Sequence, residues 1–543
     1  MIMKKTLRIT TVIALLFIVS CTHDDDSFRN ATAQKIVINS DSGSLNERIS
    51  FDEAGVLSMR EESTVGGKTE QVAGTLPLVL VAEVAPPTYN GIKLKATHVA
   101  INGSYAYVSY NVEGETYGGA IDVINISNPN SPQLVVQAIL PNVDVSSIKY
   151  DNGMLYVAGA RNKDVFNTAD TAAFIGAMTL NNGLLSTTFA QTSLLSNTGT
   201  SVTSTSSKYF AVSGNNGALC QLNKTSNAIE MTIPLADLRA IGYNNNKIVV
   251  LSGTQGVKVY NANGLTQITS FSTSQDAQNA KRTVDFLGTT SLLVSEGYNG
   301  LGVYNISTGA KTQTIGVPTV SGVNSADITT NAVSVTDTNV FVANGGAGMY
   351  IYKNTNQVLS FLGSISLSGN SSCNYLTSAG DYIFAAMGNG GLKIVKMVSS
   401  ATTCTSYPTY SGSSSMNLNS NETKQYQGAG ALQNININSN ANLTWCGSLS
   451  VSQALNINSG GTFYMKGSLA QGSVFNPNQA LTVNSNGLLK IEGSVVIYGN
   501  LILNSNSKVQ FVGSGSSITI FGNVSKANNV TITGTYIDTF DKL

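Results

Sequence analysis

The stretch "KIVVLSGTQGVKVYNANG", Lys247 to Gly264, decides the fold of most of this chain. An apolar run ends in a glycine-containing turn and returns as a second strand of alternating apolar residues. That pattern is a β-hairpin, in which glycine supplies the positive φ the turn demands. The same text recurs. "GGAIDVINISNPNSP" (Gly118 to Pro132), "SGNNGALCQLN" (Ser213 to Asn223), "SEGYNGLGVYNISTG" (Ser295 to Gly309), "ANGGAGMYIYKNTN" (Ala343 to Asn356) and "MGNGGLKIVKMV" (Met387 to Val398) each follow an apolar strand of their own. A divergent unit, "MLYVAG" (Met154 to Gly159) and then "AAFIGAMTLNN" after an inserted loop, lies between the first two. Successive units are about 39 to 53 residues apart, the length of a four-stranded propeller blade. A single blade cannot bury both of its faces, so the seven units predict a seven-bladed β-propeller over residues 76–400. "LPLVLVAEVAPP" (Leu76 to Pro87) matches the fourth strand of the first blade, while the last unit has only three visible strands. Leu78 to Val84 is therefore expected to complete the last blade, closing the ring and protecting its edges.

A second period begins past a Ser/Thr-rich stretch. Asn-Ser occurs at 438, 458, 484 and 504, and Gly-Ser at 447, 467, 493 and 513, nine residues later each time. Short alternating strands lie between these marks. A repeat near twenty with small-residue corners describes a coiled solenoid whose rungs pair along the axis around a continuous apolar column. The expected division is a linker over 401–428 and a parallel β-helix-like solenoid over 429–543. "QGSVFNPNQ" (Gln471 to Gln479) reads as a loop bulging from one corner. Calcium-binding glycine repeats are set aside, since they need aspartate at fixed positions.

Composition agrees with an all-β chain. Charged residues are 11% of the total, against about 25% in an average domain, and Gly, Ser, Thr and Asn fill the polar positions. No basic stripe suggests nucleic acid.

The N-terminus carries an address. Lys4, Lys5 and Arg8 precede an apolar run, Ile9 to Val19, too short for the roughly 20 residues of a spanning helix. It ends at Cys21 in "IVSC", which resembles the lipobox of bacterial lipoproteins. The resemblance implies a signal peptide over 1–20, acylation of Cys21 and a partner in outer-membrane lipid. Asp24, Asp25 and Asp26 resemble the acidic export signal that carries such lipoproteins to the cell surface in one large Gram-negative group. Residues 21–75 are then expected to be tether and linker. Loss of the three signal cations changes the balance of 30 basic and 30 acidic residues to 27 and 30, a mature net charge of about −3.

The repeat text "AIDVINISNPNSP" (Ala120 to Pro132) resembles the LVIVD-repeat family of β-propellers, in which a glycine turn and an apolar strand lead into an Asp-x-Ser-x-Pro ending. Later blades keep the glycine and strand alone. The resemblance implies a surface or secreted module and carries no chemistry with it.

Catalytic patterns are absent from the sequence. His23 and His98 are the two histidines, and neither has the neighbours a triad needs. No cysteine spacing or acidic loop suits a metal, and no cofactor motif occurs. An exported chain can hold disulfides: Cys373–Cys404 and Cys404–Cys446 are candidate pairs, with Cys220 and all the rest as free thiols the alternative. The densest polar cluster is the inserted loop of the second blade, with Arg161, Lys163, Asp164 and Asp170, and loops on rigid scaffolds carry function. Asp170-Thr171-Ala172 also resembles a short O-glycosylation acceptor. Tyr89, Tyr105, Tyr107, Tyr110 and Tyr117 could line a propeller mouth. The expected function is a cell-surface, non-catalytic binding or adhesion module for an extracellular protein or polysaccharide. The alternative is a propeller-based hydrolase or lyase acting on external polymers.

Overall fold

Glycine turns and alternating strands produce the same local unit seven times. The computed structural model describes residues 35–57, 62–65, 68–71, 73–166, 171–274, 280–367, 371–398, 406–476 and 478–543. In the fourth blade, Lys247–Ser252 pairs antiparallel with Gly256–Asn261, from Lys247 opposite Asn261 to Ser252 opposite Gly256. Gly256 has φ +74°, and a Cβ there would sit 2.3 Å from the carbonyl oxygen of Phe271. Leu238–Asn244 lies inside this hairpin and Gln267–Phe271 outside it. Five blades are four-stranded sheets of that order, the first blade adds a fifth strand, and the seventh carries two more short strands on its outer edge.

The strands next to the innermost one are buried along nearly their whole length, as in Lys247–Ser252 and Ser291–Ser295, whereas outer strands such as Ile229–Leu235 are largely exposed. Burial on both faces explains why those middle strands read as apolar runs. Each junction between neighbouring blades holds its own buried cluster. Phe210, Val212 and Leu219 of the third blade pack on Leu238, Ile248 and Val250 of the fourth, and the equivalent packing recurs around the ring. Leu78–Val84 supplies the outer strand of the seventh blade, pairing with Leu392–Met397.

The segment expected to be tether is in part woven into the ring. Val37–Asn39 pairs with Gln133–Pro141 on the first blade, while Ile49–Ser50 and Gly55–Leu57 pair with Leu78–Val84 on the seventh. Between them Ser42–Asn46 forms one helical turn, capped by the Asp41 side chain. This ribbon crosses the junction of first and last blades and covers their edges. Strands of two or three residues have too little alternation to be read from sequence.

The solenoid has six rungs and two parallel sheets. Its first rung is Ser415–Leu418 and Thr423–Leu432, so residues expected in the linker 401–428 already belong to it. The column Trp445, Met465, Ile491, Phe511 stacks in register inside. The asparagines of the Asn-Ser marks form a ladder. Asn458, Asn484 and Asn504 each donate a side-chain N–H to the amide oxygen one rung back, at 3.1, 3.0 and 2.8 Å. The glycines of the Gly-Ser marks stack where the long strand bends. Gly447, Gly467 and Gly493 have φ +132°, +126° and +132°, and a Cβ on Gly493 would lie 2.1 Å from the oxygen of Gly467.

The corner loop Gln471 to Gln479 clasps the propeller. Val56 N–H donates to Gly472 O at 2.9 Å, and Val474 N–H to Ala54 O at 2.7 Å. Gly74 and Ala431 exchange two further backbone bonds. Tyr498 and Phe521 of the solenoid stack on each other at 5.0 Å and pack into the cluster holding Phe384 and Tyr382 of the seventh blade. Gly55, at φ +152°, meets Ser473 so closely that a Cβ would fall 2.4 Å from its Cα. Gly55→Ala is expected to open this clasp at a cost of about 1–3 kcal/mol. Limited proteolysis should then cut the 471–479 loop faster than in the parent chain.

Cysteine pairing is corrected in one respect. Cys373 is a free thiol buried where the sixth blade meets the seventh, so it is not bonded to Cys404. Cys220 is likewise free and buried. Cys446 is disulfide-bonded, to a partner outside the described residues.

Candidate functional site

The innermost strands converge on a central channel, and the mouth of that channel is built by a repeated irregularity. In four successive blades the pairing of the inner strand slips by one residue near its start. Ser109 pairs with His98 but Tyr110 with Ala96, which leaves Thr97 extruded. The same slip extrudes Ser146, Thr200 and Arg239. A β-bulge re-aims the extra side chain and leaves its backbone unpaired. All four extruded residues line one depression of about 670 Å³, together with Lys95, Asn111, Glu113, Lys281, Asp327, Asn331 and Asn374. A second depression of about 730 Å³ adjoins it, sharing Glu113, Asp327, Asn331 and Asn374 and adding Tyr298.

Hydrogen bonds knit the rim. Thr97 Oγ1 donates to Val145 O of the next blade at 2.8 Å, and Thr200 Oγ1 does the same to Leu238 O at 2.9 Å. Lys281 reaches in from the connection between the fourth and fifth blades. Its Nζ donates to the carbonyls of two extruded residues, Thr97 and, at 2.8 Å, Ser146. The neighbouring Arg282 holds the connection in place. Arg282 is buried at φ +54°, and its guanidinium donates to Ser295 O at 3.1 Å and Ser274 O at 2.8 Å. A left-handed backbone at a bulky residue persists only where its surroundings demand it.

Below the mouth His98 stacks on Tyr375, with ring centroids 3.7 Å apart, and Lys281 Nζ lies 5.3 Å from the Tyr375 ring. Burial, then the charges of Lys281 and Lys149, push the His98 imidazole well below its ordinary range. It is therefore neutral at physiological pH. Burial lowers Lys281 to about 7 and raises Asp285 to about 6. The Asp285 carboxylate accepts N–H bonds from Phe286 at 2.8 Å and Val335 at 3.0 Å, which offset part of that rise. At the rim the charges are mostly paired: Lys95 with Glu113, and Arg239 with Asp237 at 2.8 Å. Among the described residues no group of three His, Cys, Asp or Glu side chains gathers as a metal would need.

The sequence-selected loop does not converge on this mouth. Arg161 is buried in the second blade, donating to Gln191 Oε1 at 2.9 Å and Ser193 Oγ at 2.7 Å and lying over Phe166 and Phe174. It holds an outer strand to its neighbour. Lys163 and Asp164 are exposed, and the Asp164 N–H closes a local turn on Asn162 Oδ1. Asp170 lies outside the described residues, as do Cys21, Asp24, Asp25 and Asp26. Of the tyrosines singled out from the sequence, Tyr107 is buried and donates to Gly183 O and Tyr110 is buried beside Asp122, whereas Tyr298, outside that group, borders the adjoining depression. The overlooked signal was a polar residue interrupting the alternation near the start of the inner strand in each of the four bulged blades.

No family model matches the chain, and no curated protein matches it. Among solved structures, the WD40 β-propeller domain of Doa1 aligns with a TM-score of 0.43 at 10% identity, covering 60% of this chain and 97% of that one. The WD40 repeats of RRP9 align at 0.44 and 13% identity, covering 58% and 99%. The structure of U3-55K aligns at 0.45 and 12% identity, covering 58% and 98%.

Proposed function

We propose that this chain is a lipid-anchored, surface-displayed binding module of the LVIVD-repeat kind, which captures an extracellular protein or polysaccharide at the propeller mouth without turning it over. The carrying observation is the convergence of Thr97, Ser146, Thr200 and Arg239, four extruded side chains from successive blades, on one polar depression. Side-chain amides and hydroxyls there both donate and accept, so they suit a ligand rich in polar groups. Glycoside hydrolysis needs two carboxyl groups free to act as acid and base, and Glu113 at this rim is held by Lys95. The anchor would be the Cys21 thiol, with the lipid holding the rigid two-domain unit at the outer membrane and Asp24, Asp25 and Asp26 routing it outward.

The test has two arms. The unlipidated chain and its Asn331→Ala/Asn374→Ala double variant are applied to arrays of extracellular glycans and proteins. The parent is expected to retain a ligand at micromolar concentration, and the variant to lose about tenfold or more in affinity. Polymer shortened by the parent would instead favour the hydrolase. In cells, an alkyne-palmitate label is expected on the parent and not on Cys21→Ala, with the parent removed by protease shaving of intact cells. An unlabelled or shaving-resistant parent would end the anchored, surface-exposed reading.

A further inference from the structure

Among the described residues, several lysines partly withdrawn from solvent have acidic partners, which Lys281 at the mouth lacks. Lys208 pairs with Glu230, Lys224 with Asp151, Lys311 with Glu296 and Lys393 with Glu83. Lys281 has two carbonyl oxygens and the face of Tyr375, and among the described residues no carboxylate lies within ion-pair distance of its Nζ. An ammonium has three N–H donors. Two are committed to Thr97 O and Ser146 O, and the group borders the depression, which the adjacent Ala280 also lines. A desolvated cation without a counter-charge is costly, and a ligand anion relieves that cost. Around it stand the amides of Asn111, Asn331 and Asn374. Tyr298, 46% exposed, borders the adjoining depression and donates its hydroxyl to Ala326 O at 3.3 Å. That tyrosine offers a ring face to the apolar side of a sugar.

Resting on the binding-module reading, we propose that the mouth takes an acidic saccharide, whose carboxylate pairs with Lys281 while its hydroxyls meet the asparagine amides. The titratable groups around Lys281 are His98 on the first blade, Lys149 on the second, Arg239 on the fourth, Asp285 on the fifth and Tyr375 on the seventh. Lys95, Glu113 and Asp327 stand at the rim. With His98 neutral, the ion pair depends on the Lys281 proton. That proton is held below about pH 7 and lost above it, so affinity is present at pH 6 and falls as pH rises. Bound carboxylate moves the midpoint upward.

The probe is tetragalacturonate, with its fully methyl-esterified form as the neutral control, titrated calorimetrically into the full mature chain at pH 6 and pH 8.5. The acid is expected to bind at pH 6, about tenfold or more tighter than the ester and about tenfold tighter than at pH 8.5. Lys281→Met should abolish that preference. Lys281→Arg, whose charge persists at both values, should keep the binding and flatten the pH dependence. Circular dichroism of each variant establishes that it is folded; should Lys281→Met misfold, the arginine variant still decides through its pH profile. Equal binding of acid and ester, a Lys281→Arg profile as steep as the parent's, or no binding of the acid would overturn the proposal. So would acetyl-tetraalanine binding through Lys281 in place of the saccharide. If the acid fails while an array ligand is retained at the mouth, the carboxylate assignment falls and the binding module stands. If both fail, both fall.

Discussion

Replacing Arg48 with alanine is expected to cost about 3–5 kcal/mol of propeller stability, the penalty for stranding a buried charge. The charge is Asp122, fully buried on the third strand of the first blade, within the "AIDVINISNPNSP" text. Arg48 comes from the N-terminal ribbon, and both of its terminal nitrogens donate to the Asp122 carboxylate, the Nη1 bond being 3.1 Å long. The same guanidinium donates to Ala85 O at 3.0 and 2.7 Å. Burial pushes the Asp122 carboxyl above its usual range even though Arg48 pulls it down. For Arg48, burial pulls down and the Asp122 charge pushes up, with a net rise. An arginine on a ribbon that crosses the ring's seam thus neutralises an acid that the blade has already committed to its interior. Urea unfolding of the variant, followed by near-ultraviolet circular dichroism, checks the magnitude. Arg48→Met/Asp122→Leu, which removes both charges, should recover most of the loss. If Arg48→Ala alone costs under 1 kcal/mol, the pair does not hold the ribbon.

Trp445→Ala is expected to cost a comparable amount, about 3–5 kcal/mol, with the damage confined to the solenoid. Trp445 is fully buried at the head of the interior column, and its Nε1 donates to Gly428 O at 3.2 Å. Tyr410 and Tyr426 pack against it with centroids 6.1 and 5.9 Å away. Its ring occupies space that a side chain at position 430 would need, since a Cβ on Gly430 would fall 2.4 Å from Cζ2. Neighbours across one rung cannot collapse into the void, because each is registered to the rungs on both sides. Hydrogen exchange should quicken in the rungs from 415 to 471 while the middle strands of the blades keep their protection. Equal loss of protection in all seven blades would contradict the separate solenoid core.

How much of this was legible in the sequence follows from how local each interaction is. Hairpins such as Lys247 to Asn261 are contacts between near neighbours, so glycine and alternation announce them. The nine-residue offset between Asn-Ser and Gly-Ser is legible for the same reason: a ladder of asparagines and a stack of glycines repeat a local need over successive rungs. Arg161 misled because a cationic residue in a long loop reads as exposed, whereas the fold turns it inward onto Gln191 and Ser193. The ribbon over 37–57 stayed hidden because its strands are short and its partners lie on the first and last blades.

The amino-acid sequence by itself determined that the chain is built from seven hairpin units and a series of near-twenty-residue rungs, because each unit carries its own turn chemistry and apolar alternation. Only the tertiary structure decided what the mouth contains. Lys281 meets Thr97 and Ser146 across 184 and 135 residues of chain. No periodicity encodes that meeting, since it exists only once the ring has closed and the bulges have turned those carbonyls toward its axis.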